Sequence, residues 1–186
     1  QRPRTNSNGQ PIEVDDEKLR NFWRWFGDSK VVDAQGKPLV VYHGGRAGTT
    51  KFRDGNQYRP GIFFTDSTHV ADAFGVAGDT YPVYLKADRL FQVDAGGAYY
   101  SEIPRPKEME GFTGREEVET DLIAEWAFQN DYDGVQIQGV LEGRGNSTST
   151  VYIVPQGKQI KSATGNNGDY DLQNPSILAD VTITQE

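Results

Sequence analysis

The chain has no cysteine, one methionine, two histidines and no apolar run of membrane-spanning length. Without cysteine there is no disulfide and no thiolate-held zinc, and nothing marks a redox compartment. No stretch approaches the roughly 20 apolar residues that a hydrocarbon core demands, and the N-terminus carries no signal-peptide apolar segment. No membrane partner is expected. Basic residues are also scarce: 19 Lys and Arg stand against 27 Asp and Glu, a net charge of −8. Such a field repels phosphates and disfavours sequence-independent binding to nucleic acid or an anionic membrane, although a local basic patch overrides it. The 186 residues suit one domain with tails, and 35% hydrophobic with 11% aromatic content predicts an aromatic-rich core. The first residue is Gln1, which predicts a piece of a longer polypeptide or a processed product.

Residues 1–14, with Pro3, Pro11 and the turn-prone Asn8-Gly9, read as a linker. Asp15 or Asp16 caps a predicted helix in which Leu19, Phe22, Trp23 and Phe26 recur at helical spacing, and Gly27 ends it. Val31-Val32 and Leu39–Tyr42 flank the turn-rich Asp33–Gly36 and predict a hairpin. Residues 45–60 form a Gly-, Arg- and Thr-rich loop before a strand at Ile62–Phe64. Thr65 or Asp66 then caps a short helix through Phe74. A strand is expected at Tyr81–Leu85, irregular chain from Asp94 to Pro106, and a helix from Arg115 to Asn130 whose stripe is Val118, Leu122 and Trp126, widened by Ile123 and Ala127. Val135–Val140 and Val151–Val154 read as strands joined by the polar loop 142–149. From Thr164 onward Gly, Asn and Asp predict a poorly packed segment, so the domain is drawn as 15–165 with a polar tail at 166–186. Short strands with few helices indicate an α+β fold built on a split, largely antiparallel sheet.

Two stretches stand out: Val41-Tyr42-His43-Gly44-Gly45, and Gly61-Ile62-Phe63-Phe64-Thr65-Asp66. Taken singly each has an ordinary explanation. A histidine at a strand end is more often structural than catalytic, Gly44-Gly45 is a turn, and Phe63-Phe64 is core. His69 is solvated, Asp133-Gly134 is a turn, and Glu116, Glu117 and Glu119 are a wet helix face. Taken together they suit a dinucleotide whose glycosidic bond is broken. His43 offers a hydrogen bond to a ribose hydroxyl, Gly44 a close backbone approach, Phe63 and Phe74 two stacking rings, and Thr65 a hydroxyl. Arg46 and Arg53, in the loop after His43, are charge-assisted donors for a pyrophosphate, or simply surface arginines.

The pair resembles the NAD-binding core of the diphtheria-toxin and poly(ADP-ribose) polymerase branch of the ADP-ribosyltransferases. Tyr42-His43-Gly44-Gly45 is similar to the strand that carries the branch's His-Gly. Gly61–Asp66, with its spacing to Phe74, is similar to the segment that carries the stacking tyrosine, and Tyr152-Ile153-Val154 to the strand after the catalytic Glu. More closely, Phe22–Asp33, Gly61–Thr65, Tyr132–Val135 and Gln159–Gly168 resemble the ADP-ribosyltransferase-like domains of phage and mobile-element polyvalent proteins, over about residues 20 to 175. The resemblance implies the family's split antiparallel sheets with flanking helices, NAD as substrate and no metal. Carried onto this chain, it implies NAD contacts at Tyr42, His43, Gly44, Gly61, Ile62, Phe63, Thr65 and Phe74, joined by Arg46, with His43 and Phe63 in catalytic roles. Two departures stand out. Phe63 replaces a tyrosine, and Val151 occupies the place of the catalytic glutamate, for which Glu142 on the preceding loop is the expected substitute. The implied activity is mono-ADP-ribosyl transfer to a macromolecule, protein rather than RNA given the acidic charge, in a toxin or phage effector. For such a toxin, delivery into a target-cell cytoplasm and an immunity protein as partner are open possibilities that the sequence does not decide. The alternatives are an NAD glycohydrolase and a catalytically dead structural or packaging module. Residues 142–149, with Arg144, are expected to face the acceptor.

Overall fold

A computed structural model describes residues 1–74, 78–142 and 146–178, with the Phe74 side chain outside the described part. Helix α1 (Asp16–Phe26) starts at Asp15, whose carboxylate accepts the Lys18 N–H at 3.0 Å. Asp16 and Glu17 in the first turn suit the positive end of the helix dipole, and Gly27 ends the helix with φ of 55°. Leu19, Phe22, Trp25 and Phe26 are its buried face, so Trp25 fills the core position that the sequence pattern assigns to Trp23.

The remaining elements are β1 (Val41–Gly45), β2 (Ile62–Thr65), α2 (Thr68–Phe74), β3 (Asp79–Leu85), β4 (Leu90–Asp94), β5 (Ile103–Pro104), β6 (Glu117–Val118), α3 (Thr120–Gln129), β7 (Gly134–Leu141), β8 (Thr148–Val154) and β9 (Ile160–Ser162). Seven strands form one sheet in the order β4-β7-β8-β2-β1-β3-β9, antiparallel except for the parallel pair β4–β7. Its two halves join at a single residue pair, Tyr42 with Thr65. By contrast β1 pairs with β3 along its whole length, and β2 pairs with β8 along its whole length. The α+β fold with a split sheet is therefore present, and the split lies between β1 and β2.

Strand alternation sorts the side chains onto two faces. On one face Val135, Ile137, Val151 and Ile153 pack under Ile123 and Ala127 of α3. On the same face of the other half, Tyr84 and Val40 pack under Phe22 and Trp25 of α1. The opposite face holds Val41, Phe64, Val83, Tyr152 and Val154, covered by Phe52 and Ile177.

Several boundaries differ from the sequence pattern, each for a tertiary reason. The expected hairpin is present but short: Val32 and Pro38 form a single antiparallel bridge, Leu39 N–H donates to the Val31 carbonyl, and Asp33 closes the turn by accepting the Gln35 and Lys37 N–H groups. Helix α3 starts at Thr120, not Arg115, since Val118 is drawn into β6 against Ile103 and is fully buried there. Ser67, not Thr65 or Asp66, caps α2 through its hydroxyl to Val70 N–H. The stretch after Thr164 is anchored at separate points as far as residue 178. Tyr170 stacks on Trp25, meets Phe22 edge-on and donates to Glu13 at 2.6 Å, and Ile177 is 2% exposed. Residues 1–14 are anchored too, by buried Ile12 and by Asn6, which donates to the Tyr84 hydroxyl.

Candidate active site

After the Tyr42–Thr65 pair, β1 and β2 part, and a side chain replaces the ladder. His43 Nδ1 lies 2.7 Å from the Phe63 carbonyl oxygen. A carbonyl only accepts, so Nδ1 carries the hydrogen and Nε2 keeps its lone pair. Burial lowers the His43 pKa below its ordinary value, the hydrogen bond to Phe63 opposes this, and the positive charge of Arg59 adds to the lowering. The imidazole is neutral at pH 7 and presents a hydrogen-bond acceptor. Phe52 holds the ring edge-on at 4.8 Å between centroids, and Phe64 packs at 5.5 Å. Gly45 makes room for it: a Cβ there would stand 3.0 Å from His43 Cδ2 and 3.1 Å from Nε2.

The other sequence-assigned residues distribute as follows. Gly44 pairs with Thr80 of β3. Tyr42 turns to the opposite face, where it packs on the α1 cluster and accepts from Asn8. Arg46 is exposed, and its carbonyl, taking the Tyr81 and Thr49 hydroxyls at 2.6 Å each, pins the start of the loop. Gly61 lets β2 sit close to β8, since a Cβ would come within 2.7 Å of the Val154 oxygen. Ile62 is buried beside Phe64. Phe63 is half-buried on the face of Thr65 and Val151, packed against the α3 cluster. Its carbonyl, and not its ring, meets His43. Thr65 is buried, and its hydroxyl accepts the Ser67 N–H. Phe74 closes α2, and its ring lies outside the described residues, as does Arg144. His69 is exposed.

A second cluster forms where β2, β7 and β8 end together. Glu142 follows β7 and accepts the Ser149 hydroxyl at 3.1 Å. Burial raises its pKa, and the negative charge of Asp66 adds to the rise against the Ser149 hydrogen bond. Asp66 is locked to β8 by two bonds, its N–H to the Thr150 carbonyl and its carboxylate to the Thr150 N–H. Val151 is 4% exposed and packs with Ile137. The apolar replacement at position 151 thus has a carboxylate one strand away. Among the described residues, no group of three His, Cys, Asp or Glu side chains is placed to hold a metal ion.

Residues 33–170 match the protein family described as ADP-ribosyltransferase in polyvalent proteins. The chain belongs to this family. The matched stretch contains every strand of the seven-stranded sheet, with both clusters just described. No curated protein and no solved structure gives a significant match. Proteins of this family take ADP-ribose from NAD.

Two grooves flank the loop between β1 and β2, and neither includes the His43 ring. One, of about 400 Å³, runs between Asn56–Tyr58 and the α3 residues Leu122, Glu125 and Phe128. The other is lined by Lys51–Asp54 and Lys158. Phe52, Asp66 and Arg59 are the site residues that sequence reasoning missed. Phe52 carried one signal: a large apolar aromatic between two cations, Lys51 and Arg53, in a mostly polar loop.

Proposed function

We propose that this domain is a mono-ADP-ribosyltransferase that moves ADP-ribose from NAD to a macromolecular acceptor, acting as a toxin or phage effector. The observation that carries the reading is the His43–Phe63 bond across the split, which leaves Nε2 as an acceptor for a ribose hydroxyl. Cleavage of the bond between C1′ and the nicotinamide nitrogen sends its electron pair to the ring, so nicotinamide leaves neutral and the ribose becomes an oxocarbenium ion. The acceptor atom adds to C1′ and loses its proton. Glu142, a carboxylate made more basic by burial, is the base that takes it. Chain extension to a polymer needs an acid at the position of Val151, and its absence favours single transfer.

Incubation of the domain with labelled NAD and bacterial lysate is expected to label a macromolecule, and Glu142→Gln to reduce that label about 100-fold with NAD binding kept. Nicotinamide release with no labelled product would mean hydrolysis of NAD. NAD binding with no nicotinamide release would mean a binder, a reading that the buried, apolar Val151 favours.

A further inference from the structure

Along the larger groove, of about 400 Å³, helix α3 presents Asp121 and Glu125. Both are exposed, and their spacing puts them on one face, one turn apart. Among the described residues neither is in a salt bridge, whereas Glu119 beside them is paired with Arg115 at 3.0 Å. Burial raises the Asp121 pKa, with the negative charge of Glu119 adding and the positive charge of Arg59 opposing. Like charges at this spacing repel, and a cation set between them removes the repulsion.

The rest of the groove is largely apolar. Leu122 and Phe128 come from α3, Tyr58 and Pro60 from the loop between β1 and β2, and Pro155 from the end of β8. Tyr58 is 85% exposed, the most exposed aromatic side chain among the described residues. The turn that carries it is nonetheless fixed. The Asn56 side chain accepts the Tyr58 and Arg59 N–H groups at 2.8 and 3.0 Å, and Asn56 N–H donates to the Arg59 carbonyl at 2.7 Å. Gly55 N–H, donated to the Pro155 carbonyl at 2.8 Å, ties the turn to the sheet. The same loop borders the catalytic cleft. Its Phe52 lies edge-on to His43, and the charge of its Arg59 acts on both His43 and Asp121.

We infer that this groove docks a basic segment of a protein acceptor, with the stem of an arginine or lysine against Leu122, Phe128 and Tyr58 and its charged head at Asp121 and Glu125. This rests on the function proposed above, and it names the acceptor's chemistry. Long cationic side chains lay their methylene stems on apolar surface and keep the charge at the rim, and a tyrosine face adds a cation–π contact. The net charge of −8 favours approach of a cationic partner. A phosphate backbone is repelled by the same two carboxylates. The other occupant with matching charge is a second copy of this chain, offering Lys51, Arg53 and Lys158 from its smaller groove.

The test titrates the whole isotope-labelled chain by NMR with three short capped peptides, identical except for a central pair of arginine, glutamine or glutamate between leucines. The arginine peptide is expected to shift the amides of Tyr58, Leu122, Glu125 and Phe128, with NAD bound or absent, and the glutamate peptide to leave them in place. Asp121→Asn/Glu125→Gln is expected to weaken the arginine peptide about fivefold or more and to lower the label transferred in lysate by a similar factor, with NAD affinity unchanged. Glu108→Gln/Glu110→Gln makes the same change of net charge at exposed residues outside the groove, and is expected to keep the parent's affinity. Tyr58→Ala, on the exposed turn, is expected to weaken the peptide several-fold as a second, independent variant. Equal affinity for the arginine and glutamine peptides overturns the inference. So does competition between peptide and NAD, or label unchanged in Asp121→Asn/Glu125→Gln. Self-association of the parent that this variant abolishes would overturn it and assign the groove to a second copy. A single-stranded RNA that shifts the same amides would overturn it in favour of a nucleic acid. A parent that binds no NAD or labels no macromolecule fells the proposed function, and the acceptor role falls with it even where the arginine peptide binds.

Discussion

His43 Nδ1 and the Phe63 carbonyl oxygen are 2.7 Å apart across the gap where two strands of one sheet separate. A side chain thereby satisfies a backbone group that strand pairing leaves open, and the same bond fixes the imidazole tautomer. Removing the ring strands the carbonyl, at about 1–3 kcal/mol if it stays dry. His43→Ala is expected to lose transfer by on the order of 100-fold or more and to lower stability by about that amount. NAD consumption and urea denaturation, measured on the same preparation, separate the two effects.

The same neutral imidazole sets a pH dependence. Burial holds the His43 pKa below the ordinary 6.5, so the folded protein binds this proton less readily than the unfolded chain does. Its stability contribution is complete above 6.5 and is lost as pH falls through the lower, folded value. NAD affinity is expected to stay flat from pH 8 to 6.5 and to fall only below it. Calorimetric titration at several pH values checks this, and an affinity that rises as pH falls toward 6.5 would mean that the ring binds NAD as a cation.

Gly45 tests the cleft from the other side. An added Cβ meets the imidazole at 3.0–3.1 Å, tighter than ordinary contact but against a side chain that can tilt. Gly45→Ala is expected to weaken NAD binding several-fold, with a stability change under about 1 kcal/mol. The readout beyond activity is the imidazole nitrogen spectrum, in which the Nδ1–H signal broadens or shifts as its bond to Phe63 lengthens.

How much of this was legible beforehand follows from where the determinants lie. Helix α1 carries its own cap, its own stop glycine and a buried stripe, so its limits agree with the pattern. Strands β1 and β2 are apolar runs ended by special residues, and His43 stood out inside β1, directly before two glycines. Strands β4, β6 and β9 were not. Each is short, and each exists because a partner is present: β7 for β4, Ile103 for Val118, β3 for β9. The segment after Thr164 misled for the opposite reason. It is polar almost throughout, yet Tyr170 and Ile177 pin it to the core, and single anchors produce no periodicity. Phe52 was hidden in the same way, because its significance lies in the ring that it touches.

Lys161 gives a prediction unrelated to the active site. Its side chain is fully buried and donates to the carbonyls of Asn174 and Ser176, at 2.8 and 3.1 Å. Burial depresses its pKa from 10.5 to about 8, with the negative charge of Asp171 opposing. Between those values the unfolded chain holds a proton that the folded chain has released, so stability rises with pH there. Urea unfolding is expected to show a gain of about 2 kcal/mol from pH 8 to 9.5. Above 10 the gain reverses, because burial raises the pKa of Tyr84, Tyr152 and Tyr170 and the unfolded chain then releases protons first. Lys161→Met should abolish the rise, whatever its effect on absolute stability.

Position 151 decides between a replaced acid and a lost one. Val151 pairs with Thr65 on one side and Ile137 on the other, and its side chain is 4% exposed in an apolar cluster. A carboxylate there has no cation to meet among the described contacts, and an unpaired buried charge costs about 3 kcal/mol or more. Val151→Glu is therefore expected to destabilise the domain by about that amount and to add no transfer activity, because Glu142 already brings a carboxylate to the end of β8 beside Ser149. Val151→Thr, near in volume and uncharged, should cost about 1 kcal/mol and leave transfer unchanged. If Val151→Glu instead folds as well as the parent and raises NAD turnover, the cleft reaches this face of β8, and Glu142 loses its assigned role as the base.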